Sequence, residues 1–153
     1  MNTGFSQFAE ALVFVHGPKA ETEAARHALL CERAGNARPE EGSEHYFAYA
    51  LEHRTRRHYL HGALVGLGVM LAGAWQGQDI APVATFLRDV GLDCRFEAVG
   101  CTAGEVRDTL RAMDAYLAHE SQLLPGVFHF RGAPGPDDAD RLIAQVEAAL
   151  ERA

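Results

Sequence analysis

The strongest constraint on the fold is a long apolar run from Tyr59 to Trp75, which contains only one ionisable residue after its first position, His61. The run is shorter than the roughly 20 apolar residues that a membrane-spanning helix needs, so we predict a buried core helix. Gly66, Gly68 and Gly73 lack side chains and indicate close packing of another helix against this one. A dinucleotide-binding loop is excluded here, because no strand precedes these glycines and no third glycine follows in register.

Composition predicts one helical domain over residues 1–153. The chain has 153 residues, 48% of them hydrophobic, and no shift in composition that would mark a boundary. A net charge of −7 argues against a nucleic-acid partner. The one basic cluster, Arg54, Arg56 and Arg57, is short; a solvated turn is favoured over a site that binds phosphate or a partner.

Neither a secretory leader nor a disulfide framework is expected. The start of the chain lacks a basic stretch followed by an apolar one, and no segment reads as a membrane anchor, so we expect a cytoplasmic protein without a membrane partner. The cysteines are Cys31, Cys94 and Cys101, an odd number without C-x-x-C spacing. This pattern is typical of reduced intracellular thiols.

Apolar periodicity, capping residues and glycine stops predict an all-α fold, a bundle of about seven helices with little strand. Ser43 is the expected N-cap of the third helix, and Thr102 with Glu105 forms a capping box for the sixth. The predicted helices cover Phe5–Val15, Pro18–Ala34, 43–53, 60–77, 80–90, 103–118 and 137–153.

Two histidines lie near the N-terminal ends of consecutive predicted helices. His45 follows Ser43 within the first turn, and His61 begins the apolar helix. Zinc-type sites need three or four converging nitrogen, oxygen or sulfur donors, so two histidines alone do not identify a metal site. Histidines on apolar helices are more commonly hydrogen-bonded core residues.

The motif Gly-Ser-Glu-His at 42–45, followed by His-Gly at 61–62 and Val-Gly-Leu-Gly at 65–68, resembles a known metal-binding segment. It is similar to the C-terminal helical domain of sn-glycerol-1-phosphate dehydrogenases, in the superfamily of iron-containing alcohol dehydrogenases and dehydroquinate synthases. The resemblance extends loosely over residues 25–150. It implies that His45 and His61 hold a catalytic divalent metal, Zn, Ni or Fe.

The chain also departs from that family's pattern. Many relatives have a second histidine four residues after the first, where this chain has Tyr49, and Ala63 replaces an acidic residue after the His-Gly motif. The relatives complete the metal site with an earlier carboxylate, usually Asp, but the first Asp here is Asp79. Glu10 and Glu23 are the nearest earlier carboxylates, and neither lies in a recognisable family motif.

Three further residues are candidates for substrate contacts. Tyr49 could hydrogen-bond a substrate or a water, and His58 follows the basic turn close to the histidine pair. His129 lies in 123–131, a segment that occupies the place of a short extended stretch near the substrate in the relatives.

The resemblance leaves three functions open. In the first, the chain is the helical half of a split metal-dependent oxidoreductase. A partner chain would then supply the nucleotide-binding domain, the NAD(P) site and the missing carboxylate, and the substrate would be a small alcohol or phosphorylated polyol. In the second, the domain has lost catalysis and serves as a binding module. In the third, it supports cyclase or lyase chemistry of the dehydroquinate synthase type.

Overall fold

The computed structural model describes residues 31–33, 35, 41–120 and 125–153, and this part of the chain is all α-helical, as predicted. No helix among these residues is long and apolar enough to cross a membrane. Residues 31–33 are helical, within the second predicted helix. The rest of that helix and all of Phe5–Val15 lie outside the described residues.

Eight helices follow one another between residues 43 and 152 of the described chain. They are α1 (Ser43–Thr55), α2 (His61–Trp75), α3 (Ala81–Asp89), α4 (Phe96–Val99), α5 (Ala103–Arg111), α6 (Met113–His119), α7 (Val127–Arg131) and α8 (Pro136–Arg152).

Helix α2 is the centre of the core, as its composition predicts. Every residue from Ala63 to Gly73 is buried, and α1, α3, α4, α7 and α8 all pack against this helix. A Cβ atom added at Gly68 would lie 2.5 Å from the carbonyl oxygen of Glu44, so the backbones of α1 and α2 touch at this crossing. A Cβ at Gly66 would lie 2.7 Å from Sγ of Cys94. The predicted close packing of another helix is therefore confirmed at Gly68, whereas the nearest neighbour of Gly66 is a side chain of the loop between α3 and α4.

Helices α5 and α6 replace the single predicted helix over 103–118. The predicted capping box is present, since Thr102 Oγ1 accepts from the amide of Glu105 and the Glu105 carboxylate accepts from the amide of Thr102. The helix is interrupted at Ala112, whose amide is shared between the carbonyls of Asp108 and Thr109 in a tightened turn. Met113, the first residue after this turn, is fully buried. The interruption thus directs α6 towards α1 and α7.

Helix α7 forms where the resemblance implies an extended segment, and that expectation is wrong for Val127–Arg131. Its first amides are bound by side chains: the amide of Val127 donates to Ser43 Oγ over 2.7 Å, and the amide of Gly126 donates to His129 Nδ1 over 3.1 Å. Ser43 itself is the first residue of α1, and no side chain caps that helix. The expectation that Ser43 caps its own helix is therefore also wrong, because its buried hydroxyl serves α7.

The far end of α7 is fixed to the end of α2. The Arg131 guanidinium lies over the Trp75 ring, with Cζ 4.4 Å from the ring centroid, and also donates to the Trp75 carbonyl. The indole of Trp75 donates to the carbonyl of Gly132 over 3.0 Å. Helix α7 is thus attached to α1 at its first residue and to α2 at its last. These two helices carry His45 and His61.

Candidate metal centre

Helices α1 and α2 bring His45 and His61 together. Their ring centroids are 5.4 Å apart, and the ring planes are inclined by 48°. His45 lies in the first turn of α1, next to the residue whose backbone contacts Gly68, and His61 begins α2. The close helix crossing that Gly68 allows therefore places two residues 16 positions apart in sequence beside each other.

Glu44 orients the His45 ring. Its Oε1 atom accepts from the amide of Gly42 over 2.8 Å and lies 3.0 Å from His45 Nδ1. A carboxylate oxygen accepts hydrogen bonds, so this contact suits the tautomer with the proton on Nδ1, in which Nε2 is the ring nitrogen left for another partner. The side chain of Glu44 is only 7% exposed, and that of His45 is 16% exposed. In metal sites, a carboxylate that accepts a hydrogen bond from the second ring nitrogen of a histidine fixes the tautomer and orientation of that ring.

The spacing of the two rings suits a shared divalent ion. With metal–nitrogen bonds of about 2 Å and a tetrahedral angle, the centroids of two bound imidazoles lie roughly 5 Å apart. The observed 5.4 Å is close to that value. Among the described residues, however, no group of three or more His, Cys, Asp or Glu side chains could hold a metal ion. In this part of the chain the two histidines come together without a third ligand-type side chain beside them.

Tyr49 joins the pair, one turn after His45 on α1. The rings of Tyr49 and His45 have centroids 5.9 Å apart, and the Tyr49 hydroxyl donates to Glu41 Oε1 over 2.8 Å. A neutral phenol is a poor ligand for a divalent metal, but it can hold a water or a substrate hydroxyl beside one. Glu41 brings a carboxylate to the same edge of α1.

The contacts of His58 and His129 are with other residues than the histidine pair. The His58 side chain is 99% exposed and has its Nδ1 atom 3.6 Å from Glu52 Oε1. His129 packs edge-on against Tyr46, with ring centroids 5.8 Å apart, and its Nδ1 accepts the amide of Gly126. Burial lowers the pKa of His129 below its ordinary value. Neither ring stacks with His45 or His61, so their substrate roles stay predictions.

Sequence comparison finds relatives of this chain among the glycerol-1-phosphate dehydrogenases. The chain is 35% identical over 77 residues to the glycerol-1-phosphate dehydrogenase [NAD(P)+] of Nitrosopumilus maritimus, and 35% identical over 77 residues to that of Aeropyrum pernix. It is 36% identical over 73 residues to the enzyme of Saccharolobus solfataricus. Half of the chain is homologous to glycerol-1-phosphate dehydrogenases.

The homology to glycerol-1-phosphate dehydrogenases is partial on both sides. For the Nitrosopumilus enzyme, the matched region is 50% of this chain and 22% of the relative, so the match spans only about a fifth of that protein. No family model matches the chain. The helical fold agrees with a position in the C-terminal helical domain of the dehydrogenases.

Two carboxylates near the histidine pair were not recognised as site residues from the sequence. In sequence, Glu44 is an acidic residue in the first turn of its helix, a position that stabilises a helix start, and it does accept the amide of Gly42 there. The position of Glu44 directly before His45 is the sequence signal that its carboxylate could also orient the His45 ring. Glu41 lies just before α1, and no local sequence pattern pairs it with Tyr49.

Proposed function

We propose that this chain provides the helical, metal-binding part of a glycerol-1-phosphate dehydrogenase-like oxidoreductase. His45 and His61 would each donate one nitrogen to a divalent metal, Zn, Ni or Fe. The observation that carries the proposal is the pairing of these two rings at 5.4 Å with Nδ1 of His45 bound by a buried carboxylate. The partial homology to NAD(P)-linked dehydrogenases supports the reaction class.

The roles of the side chains follow from their hydrogen bonds. Glu44 holds the His45 ring in one orientation, and Tyr49, bonded to Glu41, places a hydroxyl group beside the pair. A divalent metal bound there would polarise a substrate hydroxyl or carbonyl group. The substrate would be a small alcohol or a phosphorylated polyol.

A partner chain would complete the enzyme. Among the described residues, His45 and His61 come together without a third ligand-type side chain, and no strand leads into a glycine-rich nucleotide fingerprint. We therefore propose that a second polypeptide supplies the nucleotide-binding domain, the NAD(P) site and a third ligand. NAD(P)-dependent oxidation of glycerol 1-phosphate by the isolated, metal-loaded chain would refute this heteromeric arrangement.

Metal content tests the centre itself. Purified chain, incubated separately with Zn, Ni or Fe and desalted, is analysed by mass spectrometry beside His45→Asn and His61→Asn. We expect weak retention of metal by the isolated wild-type chain, which offers two donors, and near-stoichiometric metal when a nucleotide-binding partner supplies the third ligand. Both variants should lose the metal in either case. The control is His58→Asn, because that side chain is 99% exposed and lies outside the pair.

Glu44→Gln tests the positioning of His45. Loss of the carboxylate behind a metal-bound imidazole typically weakens metal affinity by about 10–100-fold. We expect this loss in a competition titration with a chromophoric chelator, while far-UV circular dichroism shows an unchanged helix content.

If no variant changes metal content and the wild type binds none, even with a nucleotide-binding partner present, the histidines are structural. The chain would then be a binding module.

A further inference from the structure

A basic groove lies on the surface between α1, α5 and α6, with a volume of about 390 Å³. This volume falls within the range of about 300–1,000 Å³ that is typical of small-molecule sites. Three alanines form part of its wall. The polar side chains that line it are His53, Arg54, Arg56, Thr109, Tyr116 and His119.

The charge of this groove differs from that of the whole chain. The chain has a net charge of −7, yet four of the lining side chains are basic or can become so, and none is a carboxylate. Arg54 forms a salt bridge with Asp108 over 3.1 Å, and both side chains are about half exposed. Within the described part of the chain, Arg56, His53 and His119 form no salt bridge. The positive charge of Arg56 is therefore not neutralised by a carboxylate of the described residues.

The end of α1 determines which basic side chains reach the groove. Arg56 ends this helix in a left-handed conformation with φ of 57°, while its amide donates to the carbonyl of Glu52. Arg57, the next residue, pairs with Glu105 and lies over the Tyr59 ring, 5.2 Å from its centroid. The three arginines of the basic turn thus have different environments, and Arg54 and Arg56 are the two that line the groove.

We propose that this groove binds a small phosphate monoester. Two guanidinium groups offer planar, paired N–H donors that match phosphate oxygens, and two imidazoles add donors when protonated. The His53 and Tyr116 rings lie side by side, with centroids 5.9 Å apart. They and the alanine wall accommodate the organic part of the ester.

The groove is independent of the candidate metal centre. None of His45, Tyr49 and His61 lines it, and His53 lies two helical turns beyond His45 on α1. The proposal therefore goes beyond the proposed function, and metal-free protein can test it. Failure of one proposal leaves the other intact.

The test is calorimetric titration of the full chain, treated with a chelator, using inorganic phosphate, glycerol 1-phosphate and malonate as probes. We expect saturable binding of glycerol 1-phosphate, weakened about tenfold or more in Arg56→Gln and in His119→Gln, because each removes a charge-assisted hydrogen bond. Arg56→Lys keeps the charge and should lose less than Arg56→Gln. The control is Arg88→Gln, an exposed arginine on α3 paired with Asp89 outside the groove.

Three results would overturn the proposal. The first is the absence of saturable binding of either phosphate probe. The second is an equal loss of affinity in the Arg88 control, which would indicate a general charge effect. The third is malonate binding as tightly as the phosphate ester, since the groove would then recognise carboxylates. All variants change exposed side chains, and circular dichroism and thermal midpoints check that they fold.

Discussion

The substitution Gly68→Ala directly perturbs the crossing that brings the two histidines together. The added Cβ would lie 2.5 Å from the carbonyl oxygen of Glu44 and 3.0 Å from its Cα and carbonyl carbon, whereas ordinary van der Waals contacts begin near 3.4 Å. These atoms belong to the backbone, so no side-chain rotation can relieve the clash. Helix α1 must move away from α2 by almost 1 Å, a shift estimated from the overlap with typical contact distances.

The expected free-energy change is the sum of two opposing effects. Overpacking in a rigid core typically costs about 1–3 kcal/mol, and a backbone clash belongs at the upper end. Replacing a mid-helix glycine by alanine gains about 1 kcal/mol in helix propensity. We therefore expect Gly68→Ala to destabilise the fold by about 2 kcal/mol, which lowers the melting temperature by roughly 4–8 °C for a domain of this size.

The assay is urea unfolding followed by far-UV circular dichroism, with Gly62→Ala as the matched control in the same helix. A Cβ at Gly62 meets only Leu92 Cδ1 at 3.8 Å, an ordinary contact, so this variant should be as stable as the wild type or slightly more stable. The difference between the two variants isolates the clash from helix propensity. If Gly68→Ala is as stable as Gly62→Ala, with the same dependence on urea, the close crossing does not control the packing of α1 on α2.

Three further predictions concern single side chains. Ser43→Ala leaves the buried amide of Val127 without its acceptor, so urea unfolding should show a loss of about 1–3 kcal/mol, and an unchanged midpoint would contradict the role of this hydroxyl. Burial raises the pKa of Cys94 and of Cys101 to about 11, so both thiols should resist a thiol reagent at pH 8 until urea is added. Peptide mapping measures the labelling, and rapid labelling of the native protein would disprove the burial of these thiols. Burial lowers the pKa of His129 below 6.5, and its Nδ1 accepts an amide hydrogen bond that only the neutral ring can accept. As the pH falls, the His129 ring is protonated in the unfolded chain before it is protonated in the folded one. Its contribution to folding stability is therefore fully present above pH 6.5 and is lost as the pH drops towards the lowered pKa. Between pH 7.5 and 5.5, the urea midpoint of His129→Gln should fall less than that of the wild type.

Features set by neighbouring residues were predictable from the sequence. The capping box of Thr102 and Glu105 spans four positions and depends on one turn of backbone, and it forms as expected. The burial of α2 follows from its composition, because an apolar helix rich in glycine has no face suited to water. The contact of Gly68 with another helix was also predictable, although its partner Glu44 was not.

Features set by distant residues were missed. Ser43 looks like an N-cap in sequence, but its hydroxyl binds the amide of Val127, 84 positions away, which is buried beside it. The same contact stabilises α7 where an extended segment was expected. The basic groove needs the end of α1 and the interruption at Ala112 to lie together, and no single segment encodes that juxtaposition.

The site and the core are coupled through Glu44. Its backbone carbonyl is the atom that approaches Gly68, and its carboxylate is the group that binds Nδ1 of His45. A shift of α1 away from α2 would therefore move the His45 ring as well as open the core. In the proposed metal centre both rings would have to face one ion, so packing at Gly68 would set the geometry of the pair. The small residue at this crossing thus serves the candidate centre as well as the stability of the fold.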